Sequence, residues 1–242
     1  MSALASLETF ARRLWAPLAL CSFVVVTWAL VDMFGDVVYT RTAVRMFLLL
    51  LVVLGLQIFS GNSGVLSFGH VTFVAIGAYS SALLTIPTAI KEFTYLTMPS
   101  WLSSWVFPAE LSPLEGTLVG GGLAALFALI ISPAIVRLAG VQAGIATLAL
   151  LVIANVFIVQ TSSITRGTST QIGVPTTTHL LSVTVWVLVA IALAFLFQQS
   201  RFGLRLRASR ENERAARSVG VQVPRERGIA WVLSAFVCGV AG

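Results

Sequence analysis

The sequence predicts an all-α fold: a polytopic transmembrane helical bundle of at least seven spans, forming one domain over residues 1–242. Three observations predict it. The chain is 57% hydrophobic and 10% charged. A soluble domain carries about 25% charge, so this one has too little polar surface to cover a globule. Its apolar runs are continuous and close to the ~20 residues that cross a bilayer as helix, whereas a β-barrel would alternate over roughly ten-residue segments. Finally, eight of the 15 Lys and Arg residues fall within residues 201–228, between two apolar runs. Such a loop lies on the cytoplasmic side by the positive-inside bias.

The elements follow in order. Residues 14–31 form a first span behind Arg12 and Arg13. At 18 residues it is longer than the apolar core of a secretory signal, and no small-residue cleavage site follows it, so it is retained. Asp32, Asp36 and Arg41 make a short polar loop. The second span is residues 42–60. Next comes GNSGVLSFGH, residues 61–70, with Gly61, Gly64 and Gly69 interrupting any regular helix. Irregular backbone at membrane depth survives only where protein buries it or a cavity lies beside it, so a broken helix of the transporter type is expected near residues 61–70. The alternative is an ordinary cytoplasmic turn. The third span is residues 71–90. In the polar-aromatic loop 91–113, with Tyr95, Trp101 and Trp105, the two tryptophans are four apart and share a helix face. This suits a helix in the interfacial aromatic belt, the alternative being substrate contact.

The fourth span, residues 114–138, carries Gly116 and Gly120 at GxxxG spacing, then Gly121, Gly122, Ala124 and Ala128, which suit close helix packing. Arg137 marks its end. The fifth, residues 141–164, has Thr147, Asn155 and Gln160 as polar interruptions. An intramembrane Asn is a site candidate or an interhelical hydrogen-bond donor. Residues 165–179 are a Thr/Gly/Ser/Pro loop too polar for the membrane. The sixth span is residues 180–197, and a seventh begins at Ile229. Counting back from the cytoplasmic loop puts the N-terminus, residues 61–70 and Arg137 inside, and loops 91–113 and 165–179 outside. The chain stops inside an apolar run, so it is expected to be a fragment or truncated product that assembles poorly.

In the cytoplasmic loop, Leu204, Ala208, Glu211, Ala215 and Val219 recur on one face of a single amphipathic helix. Gly220 sits where a C-cap glycine belongs, and Pro224 prevents continuation. The helix lies on anionic lipid, or it docks on a partner through Ala215 and Ala216, with Glu211 and Glu213 pairing with the partner's basic groups. The net charge of +6 does not point to nucleic acid, because the basic residues gather at loops and helix ends. Cys21 and Cys238 lie in apolar runs as packing residues and imply no disulfide framework. His70 and His179 fall at opposite ends of the bundle, so no catalytic or metal constellation is expected. A stand-alone secondary transporter would place ionisable residues within its spans, and these spans have essentially none.

Four segments together resemble a known family. ENERAARSVGVQV, followed by a span with LSAF, resembles the coupling loop of ABC importer permeases. The whole stretch SRFGLRLRASRENERAARSVGV, with GNSGVLSFGHVTFVAIGAY and ATLALLVIANVFIVQTSSITRGTSTQIGVP, resembles the branched-chain amino acid permeases of the M type, over residues 42–242. The chain departs from that pattern where TRGTSTQIGVP replaces a Thr-Gly-Gly loop. It departs again in LLVIANV, which lacks the family's acidic residue, and at Arg217, where a Glu is usual. These changes bear on substrate identity more than on mechanism.

The resemblance implies a multi-pass subunit of the bacterial inner membrane, with its N-terminus cytoplasmic. It would pair with a homologous second permease, two cytoplasmic ATPase subunits and a periplasmic substrate-binding protein, in contact with membrane lipid. The chain has no GxxxxGK[ST] phosphate loop, so it is expected not to be an enzyme and to hold no cofactor. The expected substrate pathway is Asn62, Gly64, Ser67, Gly69 and His70, with Thr147 and Asn155 added from the fifth span. His70 has a structural role as its alternative. The expected ATPase-coupling residues are Glu211, Asn212, Glu213, Ala215, Ala216 and Gly220. The implied cargo is a branched-chain or related amino acid. Urea or another short amide is the neighbouring alternative, and a sugar is a more distant one.

Overall fold

The computed structural model describes residues 2–242 except 96, 97, 139, 168, 170, 172, 176 and 177, with side chains from residue 15 onward. The expectation resting on Arg12 and Arg13 therefore falls outside the described side chains. The described residues are helical throughout, without strands. Helices α1 (Ser2–Phe34) and α2 (Val37–Leu56) come first, and α2 runs on into a π-helical turn, Gln57–Gly61. There follow α3 (His70–Thr85), α4 (Thr88–Thr94), α5 (Ser100–Val106), α6 (Pro113–Ile135) and α7 (Val141–Gln160). A single turn, α8 (Ser162–Thr165), precedes α9 (Leu180–Gln199), α10 (Arg201–Glu211), α11 (Glu213–Ser218) and α12 (Val223–Ala241).

Five helices are long and apolar enough to cross a membrane: Trp15–Phe34, Val37–Gly61, Pro113–Ile135, Val141–Gln160 and Leu180–Gln199. The α3–α4 pair makes a sixth if its bent halves count as one span. The expected straight span over residues 71–90 is corrected here. The helix stops at Thr85, Ile86 is extended, and α4 leaves at 114°. Pro87 is the cause, because it has no amide hydrogen to continue the ladder and excludes helical geometry at the residue before it. The expected count of at least seven spans is not reached among the described residues, because α12, where the seventh was expected from Ile229, is not among the helices long and apolar enough to cross. That helix starts at Val223, and its first turns carry Arg225, Glu226 and Arg227.

Helix α12 is the axis of the bundle. It packs against α2, the π-turn, α3, α6, α10 and α11. Ala230, Trp231, Ser234, Ala235 and Cys238 are fully buried on it, as expected of a helix apolar around most of its circumference. The closest packing is with α3 and α6. A Cβ on Gly77 would lie 2.0 Å from the Gly239 carbonyl oxygen, and one on Gly120 would lie 2.9 Å from that of Gly77. The small residues of the fourth span thus do what their spacing implies, letting backbones touch.

The ends of the bundle sort as the charge pattern requires. At one end Arg210 of α10 reaches the Gly61 carbonyl, and Gly228 meets Ser132 and Val136 at the end of α6. At the other end Tyr95 donates a hydrogen bond to Gln171, and Gly173 packs on Ile90. Helices α4 and α5 form a small cap there. Lys91 is completely buried and donates to the Val106 carbonyl (3.0 Å) and to that of Ala109, while Glu110 accepts from the Thr88 amide at 2.6 Å. The two tryptophans lie on α5 and are exposed, which fits the helix expected for them.

Because Gly77 faces backbone, Gly77→Leu should lower unfolding stability in detergent by about 3 kcal/mol or more, beyond ordinary overpacking. Gly122→Leu, with open space beside it, should leave the unfolding midpoint unchanged.

Candidate functional site

The segment joining α2 to α3 is an irregular linker, with Asn62, Ser63, Val65, Ser67 and Gly69 buried and Gly64, Leu66 and Phe68 exposed. The π-turn at 57–61 widens the helix and frees carbonyl groups. The Asn62 amide satisfies two of them, donating to Gln57 (3.1 Å) and Ile58 (3.0 Å). Gly64 then turns the chain with φ +69, and a Cβ there would lie 2.8 Å from Cγ of Arg210. Only glycine meets both demands at low cost. Further along, the Phe68 amide donates to Thr147 Oγ1 of α7 (3.2 Å), and Gly69 sits against the same residue.

His70 opens α3 with its ring bonded on both sides. Nδ1 lies 2.8 Å from Ser67 Oγ, and Nε2 lies 3.0 Å from Ser234 Oγ on α12. The Ser234 hydroxyl donates its own proton to the Trp231 carbonyl at 2.9 Å, so it accepts at Nε2. The network therefore assigns the neutral Nε2–H tautomer, with Nδ1 accepting from Ser67. Around the imidazole stand Trp231 at 5.2 Å, Phe73 at 5.7 Å and Phe59 at 5.8 Å between ring centroids, the first two edge-on. All four rings are at most 1% exposed. They form a closed aromatic plug with edge-to-face geometry that aromatic pairs favour.

Beyond the plug, toward the α4–α5 end, lies a cavity of about 600 Å³ between α2, α3, α6, α9 and α12. Leu48, Leu51 and Trp186 supply apolar wall, and Ser81, Thr85 and Ser182 supply hydroxyls. Gly239 to Gly242 line it beside α12. On the other side of the plug lies the arginine-rich element. It is two helices, which corrects the single amphipathic helix expected. Asn212 is extended (φ −152, ψ 101) and caps α11 by accepting from the Ala215 amide at 3.0 Å, as N-cap Asn residues do. The predicted C-cap is present: Gly220 has φ +85, and the Val221 and Gly220 amides bond the Ala216 and Arg217 carbonyls in a Schellman closure.

Three arginines fasten this element. Arg210 Nη1 donates to the Gly61 carbonyl at 2.9 Å. Arg205 pairs with buried Glu226 at 3.4 Å, and Arg227 pairs with Glu213 at 2.9 Å. Glu213 also takes Arg217 at 2.6 Å, so it is not the free carboxylate expected to pair with a partner's basic groups. Burial acts to raise the Glu213 carboxyl, but Arg227 and Arg217 outweigh it and hold it below its ordinary value of 4.5.

The expected residues divide into three groups. Asn62, Ser67, Gly69, His70 and Thr147 come together around the linker, buried in protein, while Gly64 beside them is exposed. Asn155 does not join them. It lies eight residues further along α7, turned about 80° away, and it is exposed. Of the coupling residues, Ala216 is buried inward, while Glu211, Asn212, Ala215 and Gly220 are exposed. Sequence reading missed Trp231, Ser234, Arg210, Arg227 and the π-turn. Only the i, i+3 spacing of Trp231 and Ser234 offered a cue.

Apolar helices around a glycine-rich broken linker, a cavity and a charged terminal element define a membrane permease. The family model described as branched-chain amino acid transport system, permease component, matches residues 38–242, and the chain belongs to that family. It is 40% identical over 62 residues to the probable branched-chain amino acid transport permease protein LivH of Methanocaldococcus jannaschii, covering 26% of this chain and 20% of that relative. The matched stretch thus spans a fifth of the relative's length. No solved structure matches.

Ser234→Ala leaves His70 Nε2–H buried without an acceptor and should cost about 1–3 kcal/mol in unfolding stability. Replacing His70 by Phe together with Ser67→Ala and Ser234→Ala should recover most of that loss, because every polar partner is then gone. A carboxyl lowered in the fold stabilises above its unfolded value, and that contribution is lost as pH falls through the folded one. Hydrogen-exchange protection in residues 213–218, taken relative to the intrinsic amide rate at each pH, should therefore be high at pH 7 and fall on acidification below 4.5. In Glu213→Gln the protection should be low at both.

Proposed function

We propose that this chain is the transmembrane permease subunit of an ATP-driven ABC importer carrying branched-chain or related amino acids into the cell. The order along α12 carries the reading: a cavity at one end, a closed plug in the middle, and an ion-paired element at the other. At 1.5 Å per residue, Gly239 beside the cavity and Arg227 at the ion pair lie about 18 Å apart on one rigid helix. An apolar wall with a few hydroxyls suits a small zwitterion with an aliphatic tail.

In this reading α10 and α11 face the cytoplasm of a bacterial inner membrane, as the positive-inside bias asks of eight arginines, and the N-terminus shares that side. Two ATPase subunits dock there on the exposed Glu211, Asn212 and Ala215. The chain does not hydrolyse ATP itself. A homologous second permease completes the pathway, and a periplasmic binding protein delivers cargo to the cavity end. Closure of the ATPases shifts α10 and α11. The shift reaches α12 through Glu213–Arg227 and Arg205–Glu226, and reaches the linker through Arg210–Gly61. The plug then opens at His70 by rigid-body movement of packed helices. Ser67, His70 and the linker backbone lie along the path, and Thr147 supports the linker from outside.

The test is ATPase activity of the reconstituted complex with its binding protein. Stimulation by leucine, with none by urea or ribose, is expected. Stimulation by urea alone would move the cargo to short amides, and failure of any ATPase to associate would overturn the reading.

A further inference from the structure

Three side chains at the plug each keep a buried polar atom that no described residue bonds: Asn62 Oδ1, Trp231 Nε1 and Arg227 Nε. None of the three residues is more than 5% exposed. Buried polar atoms are nearly always bonded, so such a group in one place asks for a ligand. Its placement follows from the helices. Cys238 Sγ lies 3.9 Å from the Val52 carbonyl oxygen, and Phe59 meets Trp231 at 4.9 Å between ring centroids, so α2 with its π-turn runs antiparallel to α12. Asn62 is three residues beyond Phe59, and Arg227 is four residues before Trp231. Both steps are about one helical turn toward α10 and α11, which sets Asn62 and Arg227 at one level just past the plug. The Asn62 amide nitrogen is held by the Gln57 and Ile58 carbonyls, which turns Oδ1 off its own helix. On Arg227, Nη2 donates to Glu213 at 2.9 Å, while Nε beside it has no acceptor. A buried cation with a bare N–H favours an anion.

We propose that these atoms form a transit site for a free α-amino acid, filled as the plug opens. The carboxylate of the cargo accepts from Arg227 Nε–H and Trp231 Nε1–H, and its ammonium donates to Asn62 Oδ1. The aliphatic tail rests against Phe59 and Phe73. In an α-amino acid one carbon joins the two charged groups, so both must be met at one level, and two donors on α12 facing an acceptor on the π-turn do that. Urea has no anion for the donors. The inference rests on the permease reading and deepens it: the guanidinium that takes the cargo through Nε holds Glu213 of α11 through Nη2, so cargo and charged element meet on one side chain.

The experiment uses the reconstituted complex in inside-out vesicles, with labelled leucine and the binding protein in the lumen and ATP outside. Competitors are added outside, on the cytoplasmic face, where the binding protein does not meet them. Unlabelled leucine should slow transport about twofold at the concentration that half-fills the site. Leucinamide, which lacks the carboxylate, and 4-methylpentanoate, which lacks the ammonium, should each need roughly tenfold more, as the loss of a hydrogen bond to a charged group implies. Arg227→Lys keeps the charge that pairs with Glu213 but not the second N–H fixed beside it. Trp231→Phe keeps an aromatic ring and removes the N–H. Each should raise the leucine concentration needed by a similar factor. If either variant folds poorly, the three competitors on the unaltered chain decide. Equal inhibition by all three, no inhibition by leucine while ATP-driven transport proceeds, or unchanged inhibition in both variants would overturn the inference. Absence of leucine transport altogether would overturn the permease reading, and this inference with it.

Discussion

One hydrogen-bonded imidazole holds the middle of the molecule together. His70 sits between Ser67 on its own linker and Ser234 on α12, so the start of α3 is pinned to the axial helix at a fixed height. A buried neutral histidine with both nitrogens satisfied costs little, whereas losing either serine leaves a polar atom stranded. Three rings close around it, and the cavity is lined by residues further along α3 and α12, from Ala78 and Gly239 onward. The close approach of Gly77, Gly120 and Gly239 follows from the same constraint, since α12 can stand within reach of His70 only if α3 and α6 let its backbone in.

The two sides of that pin differ in physics. Toward the cavity the walls are apolar with scattered hydroxyls. Toward α10 and α11 the contacts are ionic, and their geometry depends on charges that are partly exposed. Such contacts are individually weak and readily exchanged at a surface, while the aromatic plug is a packed object with few alternative arrangements. A device that must transmit movement without loosening its seal has use for that difference. Arg210 matters most here, because it joins the charged element to the Gly61 carbonyl, directly before the linker.

Much of this was legible in the sequence. Run length and charge bias gave five of the spans and sorted the ends, and the glycines of residues 61–70 announced an interrupted helix. Gly220 declared its C-cap. Elsewhere periodicity misled. Leu204 to Val219 reads as one helical face, yet Asn212 prefers to cap a new helix, a local competition that a 3.6-residue period does not register. Pro87 was a visible breaker inside the third span. The partners of His70 were not legible, because Ser234 lies 164 residues away and nothing local distinguishes it from any other serine in an apolar run. Glu213 likewise gave no sign that Arg227 would claim it.

The central claim, a seal at His70 and Ser234 dividing an outward cavity from a cytoplasmic element, is tested most directly by thiol accessibility along α12. Cysteines placed singly at Gln222, Ser234 and Ala241 would be treated with a membrane-impermeant reagent from each side of sealed vesicles. Reaction of Ala241→Cys from the outer side only, of Gln222→Cys from the cytoplasmic side only, and of Ser234→Cys from neither is the expected result. Reaction at Ser234→Cys in the resting protein, or reaction of Gln222→Cys and Ala241→Cys from the same side, would contradict it.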